Sequence, residues 1–429
     1  MLDRTTPPEV RPFGKLSIPD EEITTLSNGL TLHTLSGGDQ DVMRLNLIID
    51  GGVSECGNQC IASFAAELLR EGNSTLDSEQ IADLVDYNGA WFNSSASSHF
   101  TTLQISGLMS RLDVLAPVVV DCLVNPSFPE NAFRIIRSKG ASRQRLNLSR
   151  VSFLANADNR RLIAGPAHPE SRVPTPEDIE KIEIDSLIRF HKRILNAAHT
   201  HAYLCGRLTP ADVDRLCHHL EKIPASDRPS PIDIVPYASL PPCTSEVDKA
   251  DSLQSAVVMS LPAVPRNHPD YNALRMTVTA LGGYFGSRLM MNIREDKGYT
   301  YGISAALMGS RDGSSITISA QCDNRYTKAL IDEVKIELER MVSQPLSPDE
   351  LNRLKFNVSS DLASTLDSPM TMMDYYELRR TVGIPDDYFY ARQKTLASIT
   401  PEIVCEMAAR YLRPDLLRIS IAGDLSSVK

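Results

Sequence analysis

The cysteines and histidines are the side chains of this sequence best suited to binding a metal ion. Cys56 and Cys60 form an isolated C-x-x-x-C pair, which is a weak zinc signal without a second pair of ligands. His199 and His201 would lie on one face of a strand, because alternate strand residues point to the same side. No nearby Cys pair or Glu-x-x-His pattern strengthens a metal site there, so surface or capping roles are favoured.

A glycine-rich stretch over residues 281–302 is the most informative motif. It reads LGGYFGSRLMMNIREDKGYTYG. The glycines fit a helix C-cap and a turn, because glycine tolerates positive φ and close backbone approach. The spacing Gly282-Gly283-x-x-Gly286 matches neither the G-x-G-x-x-G pattern nor the P-loop, which argues against a phosphate site.

This stretch resembles the C-terminal-half signature of the insulinase/pitrilysin (inverzincin) type of zinc peptidase. The matching parts read Gly-Gly-x-Phe-Gly-Ser-Arg-Leu and then Ile-Arg-Glu-x-Lys-Gly-x-x-Tyr-Gly. The similarity extends to the opening Leu26–Leu30, to Gly165-x-x-His168-Pro169 and to the strand ends at Gly206 and Gly423. The resemblance implies two homologous α/β halves in one chain, and two such chains, or one chain of double length, that close like a clamshell around a peptide.

The zinc site that this family carries on a helix of its N-terminal half is degenerate here. In the family, H-x-x-E-H supplies two histidine ligands and a glutamate general base. Counted back from Gly72, these positions fall on Ser63, Ala66 and Glu67. One carboxylate cannot build a three-ligand site, so we expect no metal and no catalytic residue on this chain. Glu67 is expected on a solvated helix face.

The family's third ligand, a later glutamate, also has no equivalent. Residues 131–169 contain no glutamate, and residues 131–172 carry nine basic residues against Asp158 and Glu170, a net charge of 9 − 2 = +7. Two interpretations stay open: a solvated helix face, or a positive surface for a partner or an acidic peptide. The basic residues are Arg134, Arg137, Lys139, Arg143, Arg145, Arg150, Arg160, Arg161 and Arg172.

The substrate-holding part of the family's second half is intact. In the family, an arginine and a tyrosine seven residues apart reach across the chamber to the substrate backbone, and the motif assigns these positions to Arg294 and Tyr301. A guanidinium offers a fork of donors to carbonyl oxygens, and a tyrosine hydroxyl can stabilise an oxyanion. The competing interpretations are a salt bridge from Arg294 to Glu295 or Asp296, and an ordinary strand tyrosine, with Tyr299 as the nearest alternative to Tyr301.

Proline and capping patterns predict the elements that position these residues. Six prolines between residues 224 and 242 exclude helix and central strand. They predict an N-terminal half over residues 1–223, a linker over 224–250 and a C-terminal half over 251–429. Thr175 and Thr400 each precede Pro at a helix start, and Ser347 begins a capping box.

The strand ends at Gly206 and Gly423 lie 423 − 206 = 217 residues apart, which indicates a duplicated unit. Residues 301–308 and 315–321, separated by a Gly-containing loop, predict a β-hairpin. Strands, helices and hairpins together favour the α+β class, with two homologous α/β half-domains of mixed sheets covered by helices.

Composition excludes several classes of protein. The net charge of −10 argues against general nucleic-acid binding. No window approaches the roughly 18–20 apolar residues of a membrane span. The eight scattered cysteines fit a reducing compartment. The N-terminal residues lack the pattern of a signal peptide, so we expect a cytoplasmic protein.

The sequence therefore predicts a non-catalytic, substrate-binding subunit of a heterodimeric zinc metallopeptidase. A homologous partner with intact H-x-x-E-H would carry the zinc, and this chain would need no cofactor of its own. We do not expect it to be active alone. The alternatives are a structural scaffold of the same fold, as in respiratory core proteins, and a peptide-binding homodimer.

Overall fold

Two β-sheets, each covered by helices, make up the computed structural model, which describes residue 5 and residues 14–428. Each sheet has a separate apolar core beneath it. No helix in the described part of the chain is long and apolar enough to cross a bilayer. This architecture confirms the predicted α+β class of two half-domains with mixed sheets.

The first half builds a six-stranded sheet in the order β1-β2-β6-β3-β5-β4. Its strands are β1 (Glu22–Thr25), β2 (Thr31–Ser36), β3 (Met43–Asp50), β4 (Trp91–Ala96), β5 (Phe100–Gly107) and β6 (Thr200–Gly206). Its helices are α1 (Cys60–Leu68), α2 (Ser78–Tyr87), α3 (Leu112–Val124), α4 (Glu130–Leu148), α5 (Val151–Ala164), α6 (Pro176–Glu180), α7 (Ile184–Ile194) and α8 (Pro210–Leu220).

The second half builds a five-stranded sheet in the order β7-β11-β8-β10-β9. Its strands are β7 (Cys243–Asp248), β8 (Gln254–Pro262), β9 (Thr300–Gly309), β10 (Ser314–Asp323) and β11 (Arg418–Gly423). Its helices are α9 (Tyr271–Gly282), a π-helix (Met290–Asp296), α10 (Thr327–Ser343), α11 (Pro348–Ser364), α12 (Pro369–Thr381), α13 (Tyr388–Ser398) and α14 (Pro401–Tyr411).

The two sheets share one topology once β1 is set aside. In each, a parallel pair joins the first strand of the half to its last, namely β2 with β6 and β7 with β11, and the remaining pairs are antiparallel. The predicted hairpin is β9 and β10, in antiparallel register. This shared order is what a duplicated unit produces.

The capping patterns also form as expected. Thr175 and Ser347 each accept a hydrogen bond from the backbone N–H three residues on, in full capping boxes, and Thr400 accepts one from Ile403. In all three helices proline occupies the first turn, where its missing N–H leaves no hydrogen bond unmade.

Each half covers the other's sheet with one helix. Helix α5 of the first half packs on β8 and β11, and α12 of the second half packs on β6 and β2. Under α5, the Ser260 hydroxyl donates to the Asn159 side chain at 2.7 Å and the Ser420 hydroxyl donates to Asp158 at 2.8 Å. With both faces covered, β3 (MRLNLIID) is buried at every position except the half-buried Arg44, so both of its faces carry buried side chains.

The proline-rich segment differs from the predicted linker at its C-terminal end. Residues 224–242 contain no helix or strand, but residues 243–248, predicted as linker, form β7. Strand β7 pairs with β11, 418 − 243 = 175 residues later, so no local pattern could reveal it. The segment is tied to both halves, because the Val235 carbonyl lies 2.7 Å from His168 Nε2 and its N–H donates to Asp312 at 3.0 Å.

Candidate functional site

The positions equivalent to the family's zinc ligands lie on α1, whose apolar residues face the core. Ala66 is buried, and its carbonyl oxygen accepts a 2.7 Å hydrogen bond from the Ser94 hydroxyl on β4. Ser63 is half-buried and donates weakly to the Gln59 carbonyl oxygen at 3.4 Å. Glu67 is half-buried rather than fully solvated as expected, and its carboxylate has no polar partner among the described residues.

This donor set does not fit a zinc ion. A hydroxyl, a methyl group and one carboxylate replace two imidazoles and a general base, whereas a catalytic zinc site needs three protein ligands. Over residue 5 and residues 14–428, no group of three or more His, Cys, Asp or Glu side chains is placed to hold a metal. Cys56 and Cys60 are free thiols, and burial raises the pKa of each to about 11, which disfavours the thiolate that a metal requires.

His199 and His201 were expected on one face of a strand, but they lie in different elements. His199 ends a short 3-10 helix (Ala197–His199), and its ring lies 2.9 Å from the Arg228 carbonyl oxygen. His201 lies on β6, with its ring 2.9 Å from the ring of His33. Burial, with a smaller contribution from the nearby Arg380, lowers the pKa of His201 to about 3, so it stays neutral. Both histidines make structural contacts.

The basic stretch is mainly the exposed surface of α4 and the adjoining α5. Helix α4 packs on α1 so closely that a Cβ at Gly140 would lie 2.4 Å from the Phe64 ring. Part of the stretch makes structural contacts with carbonyl oxygens or carboxylates, while Arg134, Lys139, Arg143 and Arg150 are exposed. The residues with such contacts are Arg137, Arg145, Arg160, Arg161 and Arg172. Both sequence-based interpretations therefore stay open for the four exposed cations.

Arg294 lies on the π-helix Met290–Asp296, a distortion often found at functional sites. Its guanidinium stacks over the Phe285 ring, 4.8 Å from the centroid, and pairs with Glu295 at 3.0 Å. The Arg294 side chain is 33% exposed. The sequence-based salt bridge is therefore present, and the guanidinium still reaches the surface.

Tyr301 lies in a β-bulge at the start of β9. Ile303 pairs with Ala320 and Thr300 with Cys322, so Tyr301 and Gly302 together face the single residue Gln321. The Thr300 hydroxyl oxygen holds the bulge, 2.5 Å from the Gln321 carbonyl oxygen and 3.1 Å from the Gly302 N–H. The bulge turns the Tyr301 side chain into solvent, where it is 93% exposed.

The bulge also separates Tyr301 from Tyr299. Tyr299, the nearest alternative to Tyr301 in the sequence, precedes β9 and is half-buried against the core. Its ring stacks on Tyr326 with centroids 4.9 Å apart. Gly298, with φ of 66°, makes the turn from the π-helix into β9, and the π-helix packs against β9. Arg294 and Tyr301 therefore belong to neighbouring elements, and Tyr299 is a packing residue.

A buried charged cluster that the sequence did not reveal joins the two halves. His99 lies 2.8 Å from Glu55 through Nδ1 and 2.8 Å from Asp312 through Nε2. The three side chains are at most 4% exposed. Asp312 lies in the β9–β10 loop and reaches into the first half. Acidic residues are ordinary in such loops, so the sequence carried no signal for this contact.

We expect the protein to lose stability as the pH rises through about 9. Burial alone would lower the pKa of His99, but the bonds and charges of Asp312 and Glu55 raise it from 6.5 to about 9. Protonated His99 therefore stabilises the fold fully below about pH 6.5, and this contribution is lost as the pH rises through 9. In urea titrations, the stability difference between wild type and His99→Gln should shrink from pH 7 to pH 10. A stability difference between the two proteins that does not change with pH would contradict the assigned role of His99.

Comparison with known proteins gives a consistent picture. Residues 181–358 match the family described as "Peptidase M16 inactive domain". An "Uncharacterized zinc protease" of Rickettsia bellii is 22% identical over 349 residues, covering 79% of this chain and 82% of the relative. The "Non-peptidase homolog YmxG" of Helicobacter pylori is 24% identical over 257 residues, covering 59% of each.

A solved structure shares the whole fold. The crystal structure of a peptidase M16 inactive domain from Pseudomonas fluorescens superposes with a TM-score of 0.85 at 20% identity, covering 96% of this chain and 100% of that one. The match of residues 181–358 to an inactive peptidase domain, together with the degenerate positions on α1, is consistent with a non-catalytic peptidase-like protein. Residues 181–358 thus match the inactive domain of the M16 peptidases, and the relatives and the solved structure agree with the resemblance to the insulinase/pitrilysin type that the sequence motifs indicate.

Proposed function

We propose that this chain is the non-catalytic, substrate-binding subunit of a two-chain zinc peptidase. A homologous partner with intact H-x-x-E-H would bind the zinc ion, whose chemistry is to activate water for attack on the peptide carbonyl. This chain contributes Arg294, Tyr301 and its half of a clamshell-shaped chamber.

The exposure of Tyr301 is the observation that carries the proposal. A tyrosine buries a large apolar ring when it serves packing, yet Tyr301 is 93% exposed and is placed there by a bulge. Its hydroxyl has no partner in the described part of the chain, so it is free to donate to a substrate carbonyl. A donor of this kind stabilises the oxyanion that develops during attack.

Arg294 is suited to exchange its present partner for a substrate. Its ion pair with the adjacent Glu295 is partly exposed, and exposed pairs contribute only about 0–1 kcal/mol. Stacking on Phe285 holds the guanidinium plane while leaving its N–H groups available. Two carbonyl oxygens of an extended peptide can then accept from one guanidinium.

The backbone of the peptide would be recognised at a sheet edge. Strands β4 and β9 each end a sheet and pair on one side only within the described residues. An added strand gains main-chain hydrogen bonds regardless of its sequence. The scaffold alternative does not require a free edge beside two exposed donors.

Reconstitution tests the proposal. We expect the isolated chain, incubated with zinc and desalted, to retain far less than one equivalent and to cleave no unfolded peptide. Mixing it with a homologue of similar length that carries H-x-x-E-H, sought in an adjacent gene, should give cleavage that neither chain shows alone. A mixture no more active than the partner alone would favour the scaffold, and stoichiometric zinc on this chain, lost in Glu67→Ala, would overturn the assignment of α1.

A further inference from the structure

A groove of about 480 Å³ runs beside Tyr301 on the open face of the second sheet. Its floor includes Ser304 of β9 and Ser319 of β10, whose hydroxyl oxygens are 3.2 Å apart. Helix α5 of the first half forms its wall through Ser152 and Asn156. The groove is thus built by both halves and opens towards the edge strand β9.

The groove carries no charge. Among the described residues that line it, none is Asp, Glu, Lys, Arg or His, although 23% of the chain is charged. Its polar groups are hydroxyls and amides, including those of Gln254 and Gln321, which can both donate and accept hydrogen bonds. A lysine or glutamate side chain placed here would lose water without meeting an opposite charge, which is costly.

The backbone of β9 supplies the other half of the site. Alternate residues of an edge strand direct their N–H and C=O groups away from the sheet, and within residues 14–428 no strand pairs with β9 on that side. Gly302, Ser304 and Ala306 are exposed and small, so a neighbouring strand can approach closely. Their side chains leave room for small or amide side chains of a bound segment.

From these features we infer that the groove binds an extended, uncharged polypeptide segment, rich in small and amide side chains, added as a strand along β9. Charged side chains are excluded where they face the groove. This inference rests on the proposed function, because it assigns a substrate class to the Tyr301 site. It adds that the accessory chain selects substrate by charge as well as holding its backbone.

Binding of labelled peptides to the isolated full-length chain tests the inference. Three fluorescein-labelled ten-residue peptides are compared by anisotropy: one of Ser, Gln and Ala, and two with Lys or Glu at every third position, which places charges on both faces of a strand. We expect the neutral peptide to bind at least 10-fold more tightly than either charged peptide. Equal affinities, or binding by none of the three, would overturn the inference.

A charged side chain introduced into the groove should change which of the three peptides binds most tightly. Ser304→Lys should tighten binding of the Glu peptide at least 10-fold and weaken that of the Lys peptide, and Ser304→Asp should do the reverse. Ser360→Lys, on the exposed face of α11, is the matched control and should leave the ranking unchanged. An unchanged ranking in folded Ser304→Lys, checked by its thermal midpoint, would place the peptide elsewhere. The binding assay uses this chain alone. A failure of reconstituted cleavage would therefore count against the proposed function without changing the measured peptide preference.

Discussion

Replacing Tyr301 by phenylalanine is expected to lower kcat of the reconstituted two-chain peptidase by about 100-fold, with KM nearly unchanged. Removing one oxyanion donor from an acyl-transfer site costs about 10²–10³ in kcat. The substitution removes only a hydroxyl that lies in solvent in the free chain, so folding should be unaffected. Steady-state cleavage of an unfolded peptide by the mixture measures the effect.

Arg294→Ala should raise KM as well as lower kcat, because the guanidinium would bind the substrate before and during attack. Arg294→Lys should recover only part of the loss, since an ammonium lacks the planar fork. Matched controls lie on the same surface type: Tyr87 is 89% exposed, and Arg325 pairs with the nearby Asp323 much as Arg294 pairs with Glu295. If Tyr301→Phe and Arg294→Ala behave like Tyr87→Phe and Arg325→Ala, the proposed contacts are wrong.

Asp312→Ala is expected to lower the free energy of unfolding by about 3–5 kcal/mol, the usual cost of removing one partner of a buried charged pair. Asp312 accepts the Val235 N–H at 3.0 Å and lies 2.8 Å from His99, so its loss leaves the half-buried Val235 N–H and the buried His99 Nε2 without this acceptor. Urea denaturation followed by circular dichroism measures the change.

A smaller loss is expected for Asp312→Asn, which keeps an acceptor for Val235 but removes the charge beside His99. Asp39→Ala, at an exposed loop position, is the control and should change stability by no more than about 0.5 kcal/mol. An Asp312→Ala protein as stable as the control would show that the cluster does not join the halves energetically.

Features encoded by neighbouring residues were predictable from the sequence. Thr175 and Ser347 start helices because their hydroxyls bond within one turn, and the β9–β10 hairpin follows from alternating residues around a short loop. The duplicated unit was visible because Gly206 and Gly423 end equivalent strands. Motif resemblance supplied Arg294 and Tyr301, whose contact with substrate stays a prediction.

Features that depend on distant partners were not predictable. The exposure of Tyr301 and the packing of Tyr299 depend on a bulge, which is defined by the register of β10 about twenty residues later. Strand β7 exists because β11 pairs with it, and the His99–Asp312 contact joins residues 213 positions apart. In each case a contact with residues far along the chain, which no local pattern encodes, determines the structure.

The exchange of α5 and α12 between the halves restricts how a substrate could enter. Swinging one half away from the other would strip a helix from each sheet and wet the apolar clusters that contain Ala155 with Val258 and Tyr203 with Met373. The two halves of the chain therefore form one unit, and the proline-rich segment over residues 224–242 does not act as a hinge between them. In the proposed two-chain peptidase, the opening that admits a polypeptide would therefore lie between this chain and the proposed partner, not between its own halves.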